Sequence, residues 1–510
     1  MKLKDLCEIL TEEFAQKVLA DGANASVGMS CDGLFSDVTG VAFDSREVKE
    51  GFVFVAITGV VTDGHLYIPK AVENGACAII CENPEMYAKY KEEYKHITFM
   101  LVKNARRALA IVSKHFYECA CDKLKIIGIT GTKGKTSTSF MIAKILNESG
   151  NRCGIIGTTG AYFEDYFEEM NHSTPESRDL HELFKKMLSL GATHIVMEVS
   201  SQALMMYRVY GIEFEVGIFT NISPDHIGEG EHSSFDDYLF CKSKLFTMCK
   251  KAVINADSDK AQYILDVCKV NDVEAVTYGC EREDVDYRAT SERFYIDGGM
   301  KTHFDVTSNK GTQSVEVSVP GKFSVFNALC AISVSLTLGI DFSYIQRALK
   351  NVKVIGRIEP VENPKLKAPV IIDYAHNAMS LESLFTAVKA YNPNRIICVF
   401  GCGGNRSKLR RYEMGEISGR NADLSIITAD NSRFEELDDI ISDILIGMNK
   451  TEGKYEIVKD RRQAIYRAID LSEEGDIVLL AGKGQETYLD IKGVKTHFDE
   501  REVVNDYFNK

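Results

Sequence analysis

The sequence predicts an α/β protein built on parallel sheets and divided into three domains, and three observations carry that prediction. In the middle of the chain, short apolar runs (Ile126 to Thr130, Ile155 to Gly157, His194 to Met197, Val216 to Phe219, Ala252 to Ile254) alternate with stretches of helical period. The same alternation returns near the end, in Val370 to Ile372, Ile396 to Phe400, Leu424 to Ile427 and Ile477 to Leu480. At 510 residues the chain also exceeds what one hydrophobic core organises. The expected domains are 1–105, 106–350 and 351–510.

The first segment mixes short strands and helices, with Asp44-Ser45-Arg46 in a turn before the strand Phe52 to Ile57, and Thr62-Asp63-Gly64-His65 before a helical stretch. In the second, a region around Tyr287 to Ser318 reads as antiparallel strands ahead of the helix Phe326 to Leu338. The third presents four successive strand ends rich in glycine or charge, which suggests a second lined pocket beside the one expected in the middle segment.

A net charge of −14 argues against binding a phosphate backbone along a broad surface, so no nucleic-acid partner is expected. The 14 cysteines are scattered with no CxxC pair, which reads as reduced, buried thiols. The start, MKLKDLCEILTEEF, interrupts its apolar period with acidic residues, so neither a signal peptide nor a transmembrane segment is expected. A cytoplasmic monomer is the expectation.

Lys125 to Gly150 is the stretch with the clearest chemistry: strand, glycine turn, helix. Gly131 and Gly134 let backbone N–H groups close on phosphate oxygens, with Thr132, Lys133 and Ser137 in or beside the turn. Lys135 supplies positive charge and Thr136 a hydroxyl for magnesium, so the stretch reads as a site for ATP and Mg2+. The spacing is unusual: two residues separate Gly131 from Gly134-Lys135-Thr136, where the general phosphate loop has four. Beyond it, Glu198 closes an apolar strand, Thr220-Asn221-Ile222-Ser223-Pro224-Asp225-His226 follows another, and Tyr238 to Phe246 reads as a helix carrying Lys242 and Lys244. Glu198 and His226 are candidates to hold magnesium near a γ-phosphate. Taken singly, each has a plain alternative: a strand-end charge, an Asx turn, a solvated helix face.

Taken together, Gly131-Thr132-Lys133-Gly134-Lys135-Thr136, Glu198-Val199-Ser200-Ser201, Thr220 to His226, Gly356-Arg357-Ile358-Glu359, Asp373-Tyr374-Ala375-His376 and Gly401-Cys402-Gly403-Gly404 resemble, in order, the motifs of the Mur ligases. The resemblance spans all three segments and is nearest to the members that add the third residue of the peptidoglycan stem. It implies an N-terminal domain for a uridine nucleotide, a central ATPase domain and a C-terminal Rossmann-like domain for the incoming amino acid. It also implies an ATP-dependent amide ligase acting through an acyl phosphate, with UDP-N-acetylmuramoyl dipeptide and a free amino acid as substrates. Activation followed by amine attack splits one hard step into two easier ones.

Carried over by position, the resemblance makes Lys135, Glu198, His226 and Lys242 catalytic, with Thr136, Glu198, His226 and Lys242 at the metals. Lys242 would be carbamylated (N6-carboxylysine), with Lys244 as its uncarbamylated neighbour. Asn327, Arg357, Asp373 and His376 would join the loop in holding ATP. Ser45, Ser173, Thr174, Ser200 and Arg208 would hold the UDP-muramoyl dipeptide, and Arg411, Asp430, Asn431, Arg433, Gly482 and Glu486 the amino acid.

Three departures mark this chain. Gln202 stands where the family has histidine, Ser432 replaces proline in Asp430-Asn431-Ser432-Arg433, and Gln485 replaces histidine in Gly482-Lys483-Gly484-Gln485-Glu486. Arg433 offers a planar fork for a distal carboxylate, so meso-diaminopimelate is the favoured amino acid. Ser432 is expected to leave Arg433 less constrained than proline would. L-lysine or another amino acid, another member of the superfamily such as a folylpolyglutamate synthetase, and a nucleotide-binding paralogue without ligase activity remain as alternatives.

Overall fold

The computed structural model describes residues 1–11, 28–29, 37–59, 62–225, 227–228, 231–296 and 300–509. The chain separates into two compact units, one formed by Met1–Lys135 with Gly150–Val276 and the other by Thr136–Ser149 with Thr277–Lys510.

The first unit holds two sheets. In the N-terminal one the strand order is Gly28–Met29, Thr98–Leu101, Ala76–Cys81, Phe52–Ala56, Gly40–Ala42, all pairs parallel except the first. Val53 and Val55 face one apolar cluster and Phe54 and Ala56 the other, as the two-residue period of a strand buried on both faces requires. The second sheet runs Cys249–Asn255, Phe214–Phe219, Lys125–Thr130, His194–Glu198, Cys153–Gly157 in parallel, then two antiparallel strands, Gly160–Phe163 and Tyr166–Glu168. The strand that feeds the glycine loop is central, so the loop, Glu198 and Thr220 all leave carboxyl ends of adjacent strands, where α/β sheets place their ligands.

On the helix Ser177–Ser189, His181 is fully buried against Phe184, and neither ring nitrogen has a hydrogen-bond partner among the described residues. Burial drives its pKa down to about 3, so the folded chain holds it neutral. The unfolded chain binds a proton there below about pH 6.5, so stability falls as pH drops from 6.5 towards 3, by about 1.4 kcal/mol per unit. His181→Leu is expected to flatten that slope in urea unfolding measured from pH 7 to pH 4. An unchanged slope would remove His181 as its source.

In the second unit, Tyr287–Ile296, Met300–Ser308 and Gly311–Val317 form the expected antiparallel ladder. The helix Lys322–Thr337 follows, apolar on all sides and largely buried. A six-stranded sheet then runs Glu359–Pro360, Val370–Asp373, Ile477–Ala481, Ile396–Phe400, Leu424–Ile427, Tyr455–Ile457, parallel after its first pair. Its strands alternate between two cores: Ile371, Cys398 and Leu479 on one face, Ile372, Val399 and Leu480 on the other. The α/β class with parallel sheets is as expected. Every described cysteine is a free thiol, and among the described residues no helix is long and apolar enough to cross a membrane.

Candidate active site

Gly131 adopts φ +150°, and a side chain there would put its Cβ 2.0 Å from the Thr220 hydroxyl, so only glycine lets the turn pass this close. The turn is stapled to the neighbouring strand end. Asn221 Oδ1 accepts from the Lys133 N–H at 2.9 Å, its Nδ2 and the Thr220 hydroxyl donate to the Lys133 carbonyl, and its carbonyl accepts from the Thr132 N–H. The loop is thus shaped before any ligand arrives. Thr136 is buried in the first turn of the helix Lys135–Glu148, with half-buried Ser137 next to it.

Two lysines converge on one loop oxygen. Lys135 Nζ donates to the Gly131 carbonyl at 2.9 Å and to that of Thr132 at 3.1 Å, and Lys242 Nζ donates to the same Gly131 carbonyl at 2.9 Å. Lys242 is 1% exposed and stands 4.5 Å from the centre of the Tyr238 ring, whose hydroxyl meets Thr132 Oγ1 at 3.2 Å. Burial first, then the adjacent Lys135 ammonium, push the Lys242 amine well below its ordinary pKa, with Asp225 pulling weakly the other way. Lys244, beyond the helix Phe235–Ser243, is only half-buried and lies over Tyr207 and Phe240.

Glu198 is buried at its strand end, where its carboxylate accepts from the Thr158 N–H at 3.1 Å and the Thr158 hydroxyl at 3.0 Å. A carboxylate oxygen is the hard donor that magnesium takes, so Glu198 fits that ion. His226 lies outside the described residues. Next to Glu198, the Thr174 hydroxyl donates to the Glu198 carbonyl at 2.9 Å and accepts from the Ser200 N–H at 3.0 Å, and Arg208 donates to the Thr174 carbonyl at 3.0 Å. Half-buried Ser173 precedes them.

Sequence reasoning passed over Glu176, although it follows Ser173-Thr174-Pro175 directly. Its carboxylate lies 3.0 Å from Arg106 and 3.4 Å from Arg208, with all three side chains largely buried. Glu176→Gln keeps the shape but removes the charge between two guanidinium groups. It is expected to raise KM for the UDP-linked substrate on the order of tenfold, the worth of about one charge-assisted hydrogen bond, with kcat less affected. A kcat loss at unchanged KM would contradict this positioning role.

In the N-terminal sheet, Ser45 is buried in its turn and its carbonyl accepts from Asn74 Nδ2 at 2.8 Å, while Asp44 and Arg46 pair beside it. His65, by contrast, has a scaffold task. Its Nδ1 meets Asp63 at 2.6 Å, and its Nε2 accepts from the Glu82 and Asn83 N–H groups, which assigns the proton to Nδ1.

In the second unit, Asp373 is buried at a strand end, accepting from the Ile358 and Ala375 N–H groups, both at 2.8 Å. Burial raises its pKa, an effect that Arg357 opposes. The Arg357 guanidinium stacks 5.2 Å from the centre of the Tyr374 ring, whose other neighbour is the His376 ring at 4.6 Å. Arg357, Asp373 and His376 therefore gather round Tyr374, and burial lowers the His376 pKa. Asn327 is elsewhere in the unit, accepting from the Thr138 hydroxyl at 3.4 Å.

Asp430, Asn431 and Glu486 form one network around Lys483, which the sequence analysis gave no role. Its ammonium, fully buried, reaches Glu486 at 3.1 Å, Asn431 Oδ1 at 3.2 Å and Asp430 at 3.4 Å, and Asn431 Nδ2 donates to Glu486 at 2.8 Å. Burial pushes Asp430 up, but Lys483 and Arg461 overcome it and hold the carboxyl below its usual pKa. Gly482 turns the chain at φ +117° against Asp430.

Arg433 sits at φ +51°, its guanidinium anchored on the Gly404 carbonyl at 2.7 Å. The Arg433 N–H donates to the Asp490 carbonyl at 3.0 Å and its carbonyl accepts from the Lys492 N–H at 2.6 Å, so the hairpin Tyr488–Ile491 and Val494–His497 holds the backbone next to Ser432. Gly404 is obligatory in this contact, since a Cβ there would lie 1.9 Å from the Ser432 carbonyl. Arg411 is 1% exposed, paired with Asp443 at 2.9 Å and Glu435 at 2.8 Å, and touches the loop only through the Gly403 carbonyl.

Residues 37–117 match the Mur ligase family catalytic domain, 129–335 the Mur ligase middle domain, and 356–484 the Mur ligase glutamate ligase domain. The UDP-N-acetylmuramoyl-L-alanyl-D-glutamate–2,6-diaminopimelate ligase of Caldanaerobacter subterraneus subsp. tengcongensis is 40% identical over 471 residues, 92% of this chain and 94% of that one. A relative of the same name, numbered 2, from Clostridium acetobutylicum is 40% identical over 480 residues, 92% and 95% of the two chains. A solved structure of such a 2,6-diaminopimelate ligase superposes with a TM-score of 0.71 at 27% identity, covering 94% of this chain and 96% of that one. With all three family domains matched along the chain and relatives 40% identical over 92% of it, the chain belongs to the Mur ligase family.

Proposed function

We propose that this protein is the ATP-dependent amide ligase that joins 2,6-diaminopimelate to UDP-N-acetylmuramoyl-L-alanyl-D-glutamate in peptidoglycan precursor synthesis. The observation that carries the choice of amino acid is Arg433, which stands two residues along the chain from Asn431 of the Lys483 network and whose guanidinium is anchored on the Gly404 carbonyl. Diaminopimelate has a second carboxylate for that fork, and lysine has none. The relatives named for diaminopimelate support the same choice.

In this reading segment 1–105, with Ser45, takes the uridine nucleotide; 106–350 takes ATP; 351–510 takes the amino acid. The loop Gly131 to Ser137 holds phosphates through its N–H groups and Lys135, and Asn327, Arg357, Asp373 and His376 are assigned to the nucleotide. Ser173, Thr174, Ser200 and Arg208 hold the dipeptide substrate, whose carboxylate attacks the γ-phosphate as the bond to the bridging oxygen breaks and ADP leaves. The resulting acyl phosphate is opened by the diaminopimelate amine, which forms the amide and releases phosphate. Thr136, Glu198 and His226 are the residues that would hold magnesium, which when bound offsets the charge of the phosphates. Gly482 and Glu486 shape the amino-acid pocket, with Arg411 holding its glycine loop in place.

Lys242 is assigned as the carbamylated lysine. Its neutral amine attacks carbon dioxide to give a carbamate and a proton, which turns a cation into an anion beside the phosphates. The protein acts in this reading as a monomer in the bacterial cytoplasm.

The test is phosphate release by the purified protein with ATP, magnesium, the UDP-muramoyl dipeptide and a panel of amino acids. Turnover with diaminopimelate above that with lysine is expected. Turnover with no amino acid would overturn the ligase reading, and turnover with lysine alone would overturn the use of Arg433.

A further inference from the structure

We propose that His232, Asp237 and Cys241 form a binding site for one thiophilic divalent cation of the zinc class, distinct from the magnesium site assigned above. The site is independent of which amino acid the enzyme adds. Asp237 and Cys241 stand one turn apart on the helix Phe235–Ser243, so their side chains share a face. His232, in the loop before that helix, brings an imidazole to the same face. One donor atom from each lies within 4.8 Å of the other two.

Two of the three separations, one through each Asp237 oxygen, lie where a tetrahedral ion would put them, and the third is within 4.8 Å. Asp237 is 3.6 Å from the Cys241 sulfur through Oδ1 and 3.4 Å from His232 Nδ1 through Oδ2. Zinc bonds of about 2.0–2.3 Å at tetrahedral angles put neighbouring ligand atoms roughly 3.3–3.6 Å apart. The histidine is also oriented as a ligand needs to be. Its Nε2 meets the Ser201 hydroxyl at 2.8 Å, which turns Nδ1 towards Asp237, and an arriving cation would take the place of the proton that lies between that nitrogen and the carboxylate.

His232 and Cys241 are buried, whereas Asp237 is a third exposed, so an ion reaches the site from the carboxylate side and keeps a water as its fourth ligand. Imidazole, thiolate and carboxylate together select zinc or cobalt over magnesium, which prefers oxygen alone. Helix capping explains part of the arrangement: Ser234 caps the helix, and Asp237 accepts from the Ser233 N–H at 3.1 Å. Capping gives no reason for a buried imidazole and a thiol to meet that same carboxylate. Binding replaces the thiol proton, so Cys–SH and M2+ give Cys–S−–M2+ and release H+. Because Cys241 directly precedes Lys242, a bound ion would pin the helix that carries the active-site amine.

The test is titration of the purified full-length protein with Co2+ in excess Mg2+, followed by absorption. Tetrahedral d–d bands and a thiolate charge-transfer band saturating at one equivalent are expected, with Zn2+ abolishing both. Cys241→Ser should lose the charge-transfer band, and His232→Ala should weaken binding at least about tenfold. Charge-transfer absorption that survives intact in Cys241→Ser would place the ion elsewhere and overturn the proposal. Should the variants misfold, X-ray absorption of the zinc-loaded wild type decides: a Zn–S distance of about 2.3 Å supports the site, and its absence, or failure to bind zinc, overturns it.

Discussion

Lys242→Ala is expected to lower ligase turnover at least about 100-fold, the cost of removing one charged group from a preorganised phosphoryl-transfer site. The expectation rests on the position of the amine. It is 1% exposed, shares the Gly131 carbonyl with Lys135, and is driven towards its neutral form by burial and by that neighbouring cation. A neutral amine reacts with carbon dioxide, whereas an ammonium does not. Wild-type turnover should therefore fall in degassed buffer and recover with bicarbonate, while Lys242→Ala responds to neither treatment. Lys244→Ala is the control, because Lys244 lies outside this pocket over two aromatic rings, and it should stay within about twofold. Equal damage at both positions would leave the carbamate without support.

The second large effect concerns Arg433. Arg433→Met removes the fork but keeps much of the apolar stem, and should cut kcat/KM for diaminopimelate roughly 10- to 150-fold, the equivalent of about 1.5–3 kcal/mol for a charge-assisted hydrogen bond. Its half-buried position favours the lower part of that range. Arg433→Lys should not restore the loss, because an ammonium cannot reproduce a planar two-pronged contact. The small turnover with lysine should be unaffected in either variant. Diaminopimelate kinetics that ignore both substitutions would assign the distal carboxylate to another group.

Much of the site was legible because its signals are local. Gly131 and Gly134 mark a turn that other residues cannot make, and Glu198, Thr220 and Asp373 end apolar strands, where ligands gather on an α/β sheet. The antiparallel ladder of residues 287 to 317 was legible from its alternation. Glu176 and Lys483 were missed for a different reason. Each lies inside a stretch that had been noticed, but a charged residue becomes informative only when its partners are known. Arg106 is 70 residues from Glu176, and Asn431 is 52 from Lys483. Likewise, the backbone hydrogen bonds that hold Arg433 beside Ser432 come from a hairpin nearly 60 residues downstream, which no local pattern announces.

By itself, the sequence determined the α/β class, the phosphate loop and the order of motifs that marks a Mur ligase, because glycine conformations, strand periods and donor types are properties of short segments. The family resemblance assigned the carbamate to Lys242 by position, and the tertiary structure adds a physical contrast between Lys242 and Lys244 that the sequence could not show. The two stand two residues apart in one helical stretch, and nothing local distinguishes their charges. What separates them is burial and a hydrogen bond to a carbonyl 111 residues away, and a side chain's protonation state is set by such neighbours. The same holds for Arg433, whose chemistry was readable from its residue type but whose fixed plane depends on Gly404 and Asp490, brought to it by the fold.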